Sequence, residues 1–90
     1  MQLTELENQI KRHVMDNFVY GDDDLLNVDT SFMANGIVDS LGVLGLVSFV
    51  EEEYGIEVAD EEVVPENFDS VRNLAKYVYS KLSTPVTAAA

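Results

Sequence analysis

Cysteine is absent from these 90 residues, which excludes disulfides, zinc ribbons and thiol catalysis by the protein itself. Basic residues are scarce too: five Lys and Arg stand against seventeen acids, a formal net charge of −12. Such a field repels phosphate backbones and anionic membrane surfaces and hastens encounters with basic partners, so nucleic acid is not an expected ligand. Long apolar runs are missing. The longest, Val43 to Val50, is broken by Gly45 and Ser48 and is far too short to cross a bilayer. Met1-Gln2-Leu3-Thr4-Glu5 lacks the basic-then-apolar pattern of a secretory leader. The expectation is a soluble, cytoplasmic monomer. The parts of an enzyme are missing as well. His13 is the only histidine; it lies on a mostly polar stretch and reads as a surface residue, with no nucleophile beside it. Asp22-Asp23-Asp24 invites a calcium reading, but an EF-hand loop counted from Asp22 puts Leu26, Asn27 and Met33 where ligands or glycine belong. No metal site and no catalytic residue are expected.

What is present suffices for one domain. A hydrophobic content of 47% is that of a globular chain and too high for wholesale disorder. Thr4 followed by Glu7 fits a capping box. Leu6, Ile10, Val14 and Phe18 then recur four apart, predicting a helix from about Leu3 to Phe18 that stops near Tyr20-Gly21. Residues 21–39 form a long connection rich in Asp, Asn and Gly, yet Leu25, Leu26, Val28, Phe32, Met33 and Ile37 lie in it, so it packs onto the bundle. Asp39 and Ser40 open a second helix, and Tyr54-Gly55 closes it. Asp60 to Val64 gives one or two distorted turns interrupted by Pro65. Ser70 or Asp69 caps a last helix through Leu82, with Val71, Leu74, Ala75, Val78 and Leu82 as its apolar stripe. Gly55-Ile56-Glu57-Val58 alternates too briefly for a strand. The fold class expected is all-α: a small four-helix bundle, three main helices and one short one, with a long loop between the first two. The domain covers 1–82, and 83–90 reads as a disordered tail.

The second helix has two apolar faces. Val43, Leu46, Val47, Val50 and Tyr54 share one arc and belong in the core. Leu41, Leu44, Gly45, Ser48 and Glu52 point nearly the opposite way. Either the long loop covers that side, or it is a docking surface where Gly45 admits a close partner and the rim of Asp39, Glu51, Glu52 and Glu53 steers a basic one.

Gly36-Ile37-Val38-Asp39-Ser40-Leu41 is a turn that ends in a helix start, and Glu51-Glu52-Glu53-Tyr54-Gly55-Ile56 closes the same helix. On these two segments, over about residues 3–82, the chain resembles the acyl carrier protein family and the wider group of phosphopantetheine-attachment domains. The resemblance implies that Ser40 receives 4'-phosphopantetheine from coenzyme A through a phosphopantetheinyl transferase that uses Mg2+. It implies that Asp39 helps that transferase hold its metal, that Leu41 seats partner enzymes, and that the arm's thiol holds cargo as a thioester. A phosphodiester at a helix N-terminus meets free amides and the positive end of the helix dipole.

Carriers of central fatty acid synthesis have acids at the positions of Gly42 and Gly45, so the resemblance points to a specialised pathway. Its cargo is a fatty or polyketide acyl group, or an aminoacyl or peptidyl group loaded by an adenylating ligase. Synthases and acyltransferases are the further partners implied. Apolar residues such as Phe32, Val43, Leu46 and Val50 could part to shelter a chain. A different class of function is an acidic helical interaction module with no prosthetic group, docking a basic helix in a groove.

Overall fold

The computed structural model describes residues 2–18 and 26–83. Helix α1 spans Leu3–Asn17, α2 Ser40–Tyr54, α3 the single turn Pro65–Phe68, and α4 Val71–Ser83; a 3-10 turn, Asp60–Glu62, precedes α3. No strand occurs among the described residues, Gly55 to Val58 included. The Tyr20-Gly21 stop, the aspartates 22–24, Leu25 and residues 84–90 of the tail lie outside the described residues. Its Ser83 is the last residue of α4.

Local chemistry explains where each helix begins. Gln2, not Thr4, caps α1: the Gln2 amide donates to Glu5 Oε1 at 3.4 Å, and Phe18 is the C-cap. Gln2–Glu5 and Thr4–Glu7 overlap, and capping at Gln2 brings Leu3 into the helix, where it packs against the core. Glu7 is thereby free to approach Arg72 Nε at 3.7 Å. At the head of α4 it is Ser70 that caps, its Oγ accepting from Asn73 N at 3.0 Å. Pro65 opens α3 as its first residue, where a missing N–H costs nothing, rather than distorting a longer helix. Gly55 ends α2 in the left-handed conformation at φ 66°.

Leu6, Ile10 and Val14 of α1, Leu46 and Val50 of α2 and Val71, Leu74, Ala75 and Val78 of α4 are all sealed from solvent. Val43, Val47 and Tyr54 flank them, half-buried. Leu82 departs from its stripe: it lies past the end of the core and is 44% exposed, while Tyr77 is buried instead. The described part of the connection between α1 and α2, residues 26–39, packs down, burying Leu26, Phe32 and Val38.

The two glycines of α2 turn out to differ. A Cβ on Gly42 would come within 2.9 Å of Val38 Cγ1 and 3.0 Å of Phe18 Cε1, whereas one on Gly45 would meet only Phe18 Cζ, at 3.8 Å. Gly42 therefore makes room for the chain's own Phe18. Helix propensity favours Ala over Gly by about 1 kcal/mol at both positions, but overpacking costs about 1–3 kcal/mol at Gly42 alone. Gly45→Ala should raise the thermal midpoint and Gly42→Ala lower it or leave it unmoved; a larger gain for Gly42→Ala in paired melts would refute the packing assigned to Phe18.

Charge is segregated along the chain. From His13 to Val71 there is no Lys or Arg, and that stretch holds fifteen of the seventeen acids, all but Glu5 and Glu7. The cations sit on α1 (Lys11, Arg12) and α4 (Arg72, Lys76, Lys81), leaving α2 and α3 without one.

Candidate functional site

Ser40 is the first residue of α2 and is exposed. Asp39 before it is extended and its Oδ1 accepts from Gly42 N at 2.7 Å, so Asp39, not Ser40, supplies the cap. Among the described residues no group engages the Ser40 hydroxyl, and none accepts from the amides of Ser40 and Leu41. An oxygen nucleophile thus stands in solvent beside two unused donors at the positive end of a helix. A phosphodiester at Ser40 fits that setting: its anionic oxygens would face the free amides, and its chain would leave into water.

The loop that delivers Ser40 is tied down by residues distant in sequence. Phe32 N donates to the Asp69 carbonyl at 2.7 Å, Met33 N to Asp69 Oδ1 at 2.9 Å, and Ser31 Oγ to Asp69 Oδ2 at 2.5 Å. The Phe32 carbonyl then accepts from both Ile37 and Val38, folding the chain back toward Asp39. Arg72 adds a second tether, pairing with Asp29 at 3.0 Å while its amide donates to Val28 O at 2.8 Å. Sequence reading saw Asp69 only as a possible cap. Its carboxylate holds a loop 36 to 38 residues away in sequence, and no local pattern signals that.

Leu41 and Leu44 are 77% and 61% exposed, and Gly45, Ser48 and Glu52 are exposed beside them. The described part of the loop, residues 26–39, leaves this side of α2 exposed. An apolar cleft of about 80 Å³ opens next to it, lined by Met33, Val43, Val63, Val64, Pro65, Phe68 and Asp69. Of the residues the sequence nominated as chain shelter only Val43 lines it; Phe32, Leu46 and Val50 are fully buried core.

His13 is not simply a surface residue. Its ring stacks on Phe49 with centroids 3.7 Å apart and planes 10° from parallel, and it is half-buried. Burial lowers its pKa below 6.5, against the opposing pull of Asp16 and Glu53. At the other end, Glu62 Oε1 accepts from Lys81 Nζ at 2.9 Å, Ala59 N at 3.0 Å and Tyr77 OH at 3.1 Å. The bond from Lys81 leads in holding the Glu62 carboxyl below its usual 4.5. Both groups make acid destabilising. The neutral His13 is the folded form's preference, so its contribution fades as pH falls through 6.5; that of ionised Glu62 fades as pH falls below 4.5. Because protonation also relieves the acidic repulsion of the whole chain, melts should be compared with His13→Phe, which keeps the stack and cannot titrate. Between pH 7 and pH 5.5 the wild type should lose more midpoint than the variant; parallel curves would exclude this role for His13.

No helix among the described residues is long and apolar enough to cross a membrane. The family profile described as phosphopantetheine attachment site matches residues 8–78. A probable acyl carrier protein, PigG of Serratia sp. (strain ATCC 39006), is 30% identical over 73 residues, covering 81% of this chain and 84% of that protein. The acyl carrier protein of Lactobacillus acidophilus (strain ATCC 700396 / NCK56 / N2 / NCFM) is 31% identical over 80 residues, covering 89% and 96%. A solved structure described as an FAD-dependent dehydrogenase superposes with a TM-score of 0.68 at 28% identity, over 77% of this chain and 97% of the matched one.

Proposed function

This chain belongs to the acyl carrier protein family, a carrier and not a catalyst whose prosthetic group is 4'-phosphopantetheine, and on that premise we propose that Ser40 is the attachment point. The observation that carries the assignment is the exposed, unengaged Ser40 hydroxyl at the start of α2, inside the matched segment. In the loading step Ser40 Oγ forms a bond to the phosphorus of coenzyme A nearest the pantetheine. The bond to the other phosphate breaks, 3',5'-ADP leaves, and the hydroxyl proton passes to a base of the transferase or to water. Asp39 serves twice in this reading: it fixes the helix start, and its second carboxylate oxygen helps the transferase hold Mg2+. The arm supplies a thiol that carries cargo as a thioester. This chain, without cysteine, offers no internal thiol to attack it.

Leu41, Leu44, Gly45, Ser48 and Glu52 form the docking face for partner enzymes. Two exposed leucines give it an apolar centre, and Glu51, Glu52, Glu53 and Asp39 give it an acidic rim. The partners are the transferase and the synthase, acyltransferase or adenylating ligase of a biosynthetic route. The cleft beside Val43 shelters the carried group. The name of the matched dehydrogenase structure supports one further partner class, a flavoenzyme that takes a hydride and a proton from the carried group to reduce its FAD. Aminoacyl cargo is the second reading, favoured by the absence of acids at Gly42 and Gly45.

Intact-mass analysis after incubation with coenzyme A, Mg2+ and a broad-range transferase tests the assignment. One phosphopantetheine adduct per chain is expected, and an unmodified mass under conditions that load another carrier would overturn it. Loading by a panel of adenylating ligases then separates aminoacyl from acyl cargo.

A further inference from the structure

We propose that Phe68 sets a length limit on the carried group, so that this carrier is matched to short acyl groups of about four carbons rather than to long chains. The inference rests on the reading that the cleft beside Val43 shelters cargo. Val43 lies one helical turn from Ser40, so an arm leaving Ser40 can fold back along that side of α2.

The limit follows from volume and from what closes the cleft. A dry cavity of about 150 Å³ takes one benzene ring. The space here is about 80 Å³, roughly half of that, which leaves room for about three carbons beyond a thioester carbonyl. Phe68 is only 3% exposed, and its ring lies 5.4 Å from that of Tyr77 at an interplanar angle of 47°. Tyr77 is itself held, because its hydroxyl donates to Glu62, which also binds Lys81. Phe68 thus cannot swing aside without disturbing a ring fixed on α4. Beside it the lining changes character at Asp69, whose carboxylate is engaged by Ser31 and Met33. A methylene pushed further would meet an ionised group already occupied in holding the loop, an unfavourable neighbour for hydrocarbon. Val63, Val64 and Pro65 add short, stiff side chains to the wall, and Met33 completes it on the solvent side.

The experiment loads the whole chain at Ser40 with acetyl-, butyryl-, hexanoyl- and octanoyl-coenzyme A and compares thermal midpoints. Each methylene that enters the cleft raises the midpoint by roughly 3–6 °C. The gain should appear between acetyl and butyryl and then stop, with about 1 °C or less added through octanoyl. Phe68→Leu should carry the gain on to hexanoyl. Midpoints are compared within the variant, so the cost of the substitution itself cancels, and Val64→Ala on the half-buried wall provides a second enlargement should Phe68→Leu fail to fold. Midpoints that climb through octanoyl in the wild type overturn the limit and leave the shelter standing. A series flat from acetyl onward overturns limit and shelter together, while the adduct on Ser40 still reports the carrier assignment separately.

Discussion

Ser40→Ala should melt within about 0.5 kcal/mol of the wild type and take up no phosphopantetheine at all. Both halves follow from the same geometry. The Ser40 side chain is exposed and without a protein partner among the described residues, so little stability resides in it. The helix start is secured by Asp39 through its 2.7 Å bond to Gly42 N, and that bond survives the substitution. Loading, by contrast, needs the oxygen itself, and Ser70, at the start of α4, is buried with its Oγ already accepting from Asn73 N. Parallel melts and intact masses of the two proteins decide the matter. A residual adduct on Ser40→Ala would move the attachment elsewhere. An acidic interaction module, the competing class of function, predicts instead that Ser40→Ala keeps full activity and that neither protein gains mass.

Phe32→Ala carries the largest expected effect on stability. The ring is fully buried, and the residue's backbone amide and carbonyl together make three of the bonds that fold the loop onto the bundle. Removing such a side chain costs about 3–5 kcal/mol through lost burial and the cavity left behind, against a total stability of about 5–15 kcal/mol for a domain of this kind. The midpoint should fall by roughly 12 °C or more. A drop of under about 1 kcal/mol in denaturant melts would refute the anchoring of the loop by Asp69. The effect reaches function because this loop delivers Asp39 and Ser40, so loading should slow as temperature approaches the lowered midpoint.

The turn into α2 was legible in the sequence because its signals are local. An acid with a free oxygen, a serine, an apolar run and a terminal glycine all act within one helix, and each of the boundaries Ser40 and Gly55 coincides with its sequence signal. The capping of α1 was ambiguous because Gln2–Glu5 and Thr4–Glu7 overlap, and packing of Leu3 rather than cap chemistry separates them. Gly42 was legible only as a position without an acid, whereas the space beside it is taken by Val38 and by Phe18, a residue 24 positions earlier. The stack of His13 on Phe49 and the bonds from Tyr77 and Lys81 to Glu62 were equally hidden. Each joins side chains from different helices whose pairing depends on how those helices lie together, which no periodicity encodes. The cleft was guessed in kind but not in place: it forms where α3, the loop and Val43 meet, and its wall residues sit in the least regular part of the chain.

The separation of charge has a kinetic consequence. A molecule whose α2 and α3 carry only negative residues, with every cation confined to α1 and α4, has an electric polarity as well as a net charge. Near a positively charged enzyme it experiences a torque that turns α2 and α3 toward that enzyme before contact. Productive collisions then outnumber those of an unoriented sphere, an advantage that fades once dissolved ions shorten the reach of the field to about 10 Å or less.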